Sequence, residues 1–314
     1  MNTNDALLNV LELTKASNRT DRRYIGVRYG VLRAHVRLPL IKTLTVIADA
    51  ICHSEILEPQ HPKIELFVDL FRESGLPWDI STRDWAFEPS SELVWRINNF
   101  LDGYVGYCQT PNFRRKMSKA LRRCERNTLS LRTYVDDLFD VHSRLLVVRV
   151  DFHYQPEFYE GLTLKRVIND RKVFLESIKQ EFDGLIGLCW KLEYAKQRGF
   201  HYHCIFFFNG NRSQRGISLG RTLGEHWVSV TANMGSYHNC NFADNDYPEK
   251  YLGMIHYSDE LKRRALRHAD YLTKNDENIL AILCNGRTRI FGRMELRSRR
   301  SAAGRPRLLA STRS

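Results

Sequence analysis

His201-Tyr202-His203 stands inside an apolar and aromatic run, 199–208, whose composition predicts a buried strand. Alternate side chains of a strand share a face, so the two imidazoles project together, about 6.5–7 Å apart along the backbone. Tyr202, Cys204 and Phe206 then point to the opposite face. Two imidazoles so spaced can converge on one metal ion. Glu193 closes a second strand-like run, 185–193, and the Lys-Gln-Arg-Gly segment between the runs has turn character. Folded as a hairpin, the two runs return the carboxylate to the imidazoles, and the expected constellation is a His-His-Glu metal site. The same triplet also permits a plainer arrangement, two hydrogen-bonded histidines on a strand with no ligand.

Further residues with chemical potential lie on either side. The run 144–153 is a strand of split character, with Arg149, Asp151 and His153 on one face and Val148, Val150 and Phe152 on the other. Asp151 and His153 line the site without being counted as ligands, and His238, near Cys240, has metal-like spacing but no further partner nearby. Residues 258–274 read as a helix with Ser258 as N-cap and Asp259 and Glu260 at its positive end. Tyr271 and Lys274, three apart at its close, are neighbours on one helical face. Taken alone, such a pair is usually an ordinary surface pair.

The elements that must position these groups follow in order from residue 144: strand, helix, strand, strand, helix. The helix 163–182 offers Val167, Val173, Phe174 and Ile178 as core positions, the next spans 218–234, and 287–296 reads as a final strand. This order predicts an α+β domain with an antiparallel sheet and helices on one face, the site lying on the bare face. Residues 1–140 read as a mostly helical N-terminal region of unassigned role. Its clearest helices are 4–15, with Leu7, Leu8, Val10, Leu11 and Leu13 at helical spacing, and 38–53. Short helices joined by loops are expected between 57 and 89. A basic helix at 113–123 reads equally as a solvated face or a DNA-backbone contact. The sheet domain is expected over 141–296 and an Arg-rich, disordered tail over 297–314.

Composition sets the class of partner. The chain has 314 residues, 43% of them hydrophobic, enough for a large core and about two domains. A net charge of +12 suits a polyanion. The first residues show neither a basic n-region nor an apolar core, so no signal peptide is expected. The longest apolar stretch, 38–52, is interrupted by Pro39, Lys42 and Asp49 and is too short to span a bilayer, so no membrane role is expected. Seven cysteines, Cys52, Cys108, Cys124, Cys189, Cys204, Cys240 and Cys284, are scattered without a Cys-x-x-Cys pair. They read as thiols of a reducing cytosol.

Three stretches together, 146–151 (Leu-Val-Val-Arg-Val-Asp), 199–203 (Gly-Phe-His-Tyr-His) and 271–274 (Tyr-Leu-Thr-Lys), resemble the HUH superfamily of single-strand DNA endonucleases. More narrowly, the chain is similar to the replication initiators of inoviruses and their prophage relatives, the YagK/YfjJ type. The tail Gly304-Arg305-Pro306-Arg307 adds to the likeness, which covers about 140–307. The resemblance implies an RRM-like HUH fold and a metal-dependent nickase that starts rolling-circle replication through a 5′-phosphotyrosine intermediate. It implies His201, His203 and Glu193 as ligands of Mg2+ or Mn2+, Tyr271 as nucleophile and Lys274 as its partner. On donor chemistry alone His2Glu suits zinc and magnesium prefers oxygen shells, while manganese accepts both. The position four after Tyr271 is Asn275, so no second tyrosine stands one turn on. The implied partners are single-stranded DNA at a replication origin and a host helicase or polymerase, in the cytoplasm of a bacterial host. Backbone contacts are expected from Arg149, Arg297, Arg299, Arg300, Arg305 and Arg307. An inactive DNA-binding regulator of prophage origin, a plasmid relaxase and a transposase are the alternatives.

Overall fold

The computed structural model describes residues 3–15, 25–28, 31–34, 40–53, 61–85, 89–195, 197–242, 251–269, 272–273 and 288–296. The N-terminal region is helical, as its periodicity predicts: α1 (Thr3–Lys15), α2 (Leu40–Cys52), α3 (Pro62–Glu73), α4 (Leu76–Ser81) and α5 (Ser91–Cys108). A short hairpin not foreseen from sequence, β1 (Ile25–Arg28) and β2 (Val31–Ala34), lies between α1 and α2. Leu7, Leu8, Val10, Leu11 and Leu13 of α1 are all buried. Asn9 donates to the Thr43 hydroxyl at 2.8 Å, which ties α1 to α2. The starts of α5 and α6 (Pro111–Val141) are fixed by Ser90 and Thr110, whose hydroxyls accept from backbone N–H groups three residues on.

Three strands of eleven residues, β3 (Arg144–Tyr154), β4 (Leu185–Ala195) and β5 (Gly199–Asn209), form the middle of an antiparallel sheet. A 3₁₀ turn (Pro156–Phe158) and α7 (Leu164–Glu181) connect β3 to β4. After β5 come α8 (Gly216–Val230), β6 (Gly235–Asn239), β7 (Gly253–His256), α9 (Glu260–Arg267) and β8 (Phe291–Arg293). The sheet order is β6-β3-β5-β4-β8, and β7 pairs with the N-terminal half of β3 on the edge whose other half takes β6. Every pairing is antiparallel.

Parity along the strands gives each sheet face its character. Val148, Val150, Phe152, Trp190, Leu192, Tyr202, Cys204 and Phe206 share one face and pack with Val167, Phe174 and Ile178 of α7 and Leu223 and Trp227 of α8. Val173, expected in this core, is 46% exposed instead. The stripe of α7 runs 167, 170, 174, 178, and Val173 falls about 100° from it. The opposite face is not bare along its whole length. Leu131, Tyr134, Val135 and Leu138 of α6, with Leu266 after β7, pack on Leu145, Val147, Cys189, Ile205 and Phe207 at one end. Beyond that end the same face turns polar. α6, which ends close to the boundary expected at 140, thus packs on the sheet that follows it.

No helix among the described residues is long and apolar enough to cross a membrane. The last long helix expected from sequence is shorter than predicted. It begins at Asp259 rather than Ser258, since the Asp259 carboxylate accepts from Lys262 N–H at 3.0 Å, and it closes at Arg267 with His268 as C-cap. Tyr271, Lys274, Arg297, Arg299, Arg300, Arg305 and Arg307 lie outside the described residues.

Candidate metal centre

The hairpin that carries the site is built as its sequence suggests. β4 and β5 pair with Ala195 opposite Gly199 and Glu193 opposite His201. Gly199 takes a positive φ of 59° in the turn, a conformation glycine adopts at little cost. A Cβ there would also stand 3.0 Å from the Tyr159 ring. On the other side of β5, Asp151 of β3 is opposite His203. One row across the sheet thus reads His238, Asp151, His203, Lys191, and the neighbouring row contains Ser236, His153, His201 and Glu193.

Glu193 Oε2 lies 3.5 Å from His201 Nε2 and 3.3 Å from His203 Nε2. The three candidate donor atoms all fall within 4.8 Å of one another. The outer ring nitrogens are occupied. His201 Nδ1 is 3.1 Å from the Gly199 carbonyl, which can only accept, so Nδ1 carries the proton there. His203 Nδ1 is 2.9 Å from Asp151 Oδ2. In both rings the nitrogen left for a metal is Nε2, and both Nε2 atoms face Glu193. A proton-accepting partner behind each ligand imidazole is the arrangement metal centres use to fix ring orientation and tautomer. Glu193, His201 and His203 therefore form a possible metal-binding triad whose donors and supports fit a divalent ion.

The support extends outward. Arg149 grips Asp151 through Nε at 3.0 Å and Nη2 at 2.9 Å, with both side chains 5% exposed. Lys191, 3% exposed, sets Nζ 2.5 Å from Glu193 Oε1. This leaves Oε2 turned toward the imidazoles. His153 stacks on His201 with ring centres 5.5 Å apart.

Electrostatics follow from these contacts. Burial disfavours the charged form of His203, but hydrogen bonds to Asp151 and Glu193 outweigh it and raise the pKa to about 9. Burial also works against the Asp151 carboxylate, yet His203 and Arg149 hold it far below the usual carboxylate range. Glu193 is likewise held low against burial, by His201, His203 and Lys191. His153, desolvated and beside His201, is pushed down to about 4. Without metal the pocket is a closed ion-pair network, and a metal would have to displace a proton from His203.

Arg149, expected at the DNA backbone, is corrected: at 4% exposure and bidentate on Asp151, it braces the site from within. Trp190, Tyr194, Phe200 and Tyr202 are buried and belong to the core, where the Arg171 guanidinium sits 3.9 Å over the Trp190 ring. Lys191 was not singled out in sequence. Its signal was there, since Lys191 and Glu193 share parity on an otherwise apolar strand. Ser236 and His238 enter through β6, a strand whose Gly-Ser-Tyr-His-Asn sequence has no apolar alternation.

Fold and site together define an α+β protein with a candidate metal centre on two of the three long strands of an antiparallel sheet. Residues 112–294 match the YagK/YfjJ C-terminal domain, and the chain belongs to that family. The matched span begins at the start of α6, in keeping with the packing of that helix on the sheet. No curated protein and no solved structure matches the chain.

Proposed function

We propose that the protein is a replication initiator of the HUH type, which nicks and rejoins single-stranded DNA at a filamentous-phage or prophage origin through a covalent tyrosine intermediate. The observation that carries this reading is the convergence of His201 Nε2, His203 Nε2 and Glu193 Oε2 on the polar end of the sheet. Residues 271–274 supply the second part, a tyrosine and a lysine three positions apart.

His201, His203 and Glu193 would hold a divalent ion, magnesium or manganese in this reading. When bound, such an ion supplies Lewis-acid polarisation of a non-bridging phosphate oxygen. The chain's residues do the rest. Gly199 and Asp151 fix the imidazole tautomers, and Lys191 turns Glu193 toward them. Arg149 and Lys191 already balance the carboxylates of Asp151 and Glu193, so positive charge added to the site would be free to attract a phosphodiester. Tyr271 Oη attacks phosphorus and loses its proton, and the bond from phosphorus to the 3′ oxygen breaks. That oxygen takes up a proton and becomes the free 3′ hydroxyl that primes synthesis. A free phenol has a pKa of about 10. Lys274 favours its phenolate by charge. The phosphotyrosine bond conserves the energy for rejoining, when a 3′ hydroxyl attacks the same phosphorus and returns Tyr271.

The test is a covalent adduct. Incubation with manganese and labelled single-stranded DNA from the protein's own replicon should give a protein–DNA species that survives denaturation. Tyr271→Phe should abolish it with DNA binding retained. An adduct that persists in that variant excludes Tyr271 as the nucleophile, and no adduct from the wild-type protein overturns the nickase reading.

A further inference from the structure

One side of the N-terminal half of α6 is committed and the other is not. Phe113 is buried and Met117 half-buried, while Arg115, Lys119, Arg122 and Arg126 are exposed. Their spacing of four, three and four residues places them within an arc of about 60°, opposite Phe113, over about 16 Å of helix. None of the four forms an ion pair among the described residues. Arg115 reaches only the neutral Asn112 Oδ1, at 2.7 Å, whereas Lys116, a quarter-turn away, pairs with Glu65 at 2.9 Å. Glu125, the one acid between Pro111 and Arg132, lies about 90° from the centre of the stripe, three residues after Arg122, and offsets one of the four charges at most.

This arrangement costs folding stability. Like charges three and four residues apart repel by a few tenths of a kcal/mol per pair. The helix also runs its charges against its macrodipole. Its first turn has no acid and its last turn no base, with cations crowded toward the N-terminus and Asp136, Asp137 and Asp140 toward the C-terminus. A surface shaped by stability and solubility alone mixes signs.

We infer that Arg115, Lys119, Arg122 and Arg126 form a track for the phosphates of single-stranded DNA, an assignment that rests on the proposed nickase reading for its choice of ligand. Successive cations are about 5–6 Å apart, and no aromatic side chain interrupts them, so the track recognises backbone charge rather than bases. A membrane-bound basic helix needs a free apolar face, and here Phe113, across the helix from the track, and Leu131, Tyr134, Val135 and Leu138, further along α6, are buried in the protein itself. Along the helix axis the track ends at the level of Thr128, whose hydroxyl lies 2.7 Å from that of Thr273. Leu272 and Thr273, next in the chain to Tyr271, are buried there, and since Thr128 falls about 150° round the helix from the track, that segment meets α6 on the side away from the track, at the level where the track ends.

The test is salt-dependent binding of a fluorescent single-stranded 30-mer to the full chain in EDTA. Replacing Arg115, Lys119, Arg122 and Arg126 by Gln should make the slope of log K against log salt shallower by about 2.8, from about 0.7 per phosphate contact. Between 50 and 200 mM salt the variant should then lose about 50-fold less affinity than the wild type. A control with exposed Arg212 and Arg221 replaced by Gln should keep the wild-type slope, and Lys in place of the three arginines of the track should restore it. An unchanged slope in the quadruple variant, or an equal change in the control, overturns the proposal. So does a loss seen only with duplex DNA or with phosphatidylserine vesicles. An unaltered unfolding transition shows that the variant is folded. Because no chemistry is read, a slope effect in a protein that forms no adduct would sink the nickase reading and leave the track standing.

Discussion

Replacing Asp151 by Asn tests the claim that the candidate metal ligands are held from behind. The substitution preserves shape and so opens no cavity, but it removes the charge that Arg149 meets at 3.0 and 2.9 Å and that His203 Nδ1 meets at 2.9 Å. Arg149 and Asp151 are each 5% exposed. Stranding one partner of such a buried pair costs about 3–5 kcal/mol. Asn keeps one acceptor oxygen, so the low end, about 3 kcal/mol, is expected in urea unfolding of the metal-free protein. Manganese affinity, measured by calorimetry, should fall about 10- to 100-fold, the usual loss when the group behind a ligand histidine is removed. The double variant Arg149→Met with Asp151→Asn removes both charges and should recover much of the stability but none of the metal affinity. The reasoning is refuted if Asp151→Asn unfolds within 0.5 kcal/mol of wild type and binds manganese as tightly.

Two other outcomes follow from the geometry. In the metal-free protein, stability should peak near pH 6.5, the ordinary histidine pKa. His153, lowered to about 4, contributes stability that is complete above 6.5 and is lost as pH falls toward 4. His203, raised to about 9, contributes stability that is complete below 6.5 and is lost as pH rises toward 9. Each limb amounts to about 3 kcal/mol at most. His153→Phe should flatten the acid limb and His203→Asn the alkaline one in urea unfolding across pH, and limbs that survive these changes would show that other groups set the profile. Gly224→Ala should destabilise by at least about 1–3 kcal/mol through overpacking, because a Cβ on α8 would stand 2.1 Å from the Tyr237 ring. A melting temperature unchanged by that substitution would contradict the close approach of α8 to β6.

The sequence made the strand pair legible because parity is a local property. Once 199–208 is a strand, His201 and His203 must share a face, and the Gly-containing turn after Glu193 closes the hairpin. The network behind the ligands was not legible to the same degree. Asp151 reaches His203 only because β3 lies beside β5, a neighbour relation set by the whole sheet. The split face of β3 hinted at polar work there, but the pattern could not show that Arg149 points inward to Asp151. β6 and β7 are not legible because five- and four-residue strands carry too little alternation. α6 reads as one of the N-terminal helices because an amphipathic pattern shows that one side is buried without naming the partner. The reading of 258–274 as one helix failed at its end, where His268 closes α9 after eight residues.

β3 and β5 have neighbours on both sides, β4 meets β8 on its outer side only at Cys189–Lys191, and the outer positions of the sheet fall to β6, β7 and β8, of five, four and three residues. Unpaired backbone N–H and C=O groups along a rim invite a foreign strand to add on, and short rims offer little template. Within this sheet, then, β3 and β5, which hold most of its Val, Ile and Phe, are the strands least able to recruit another chain.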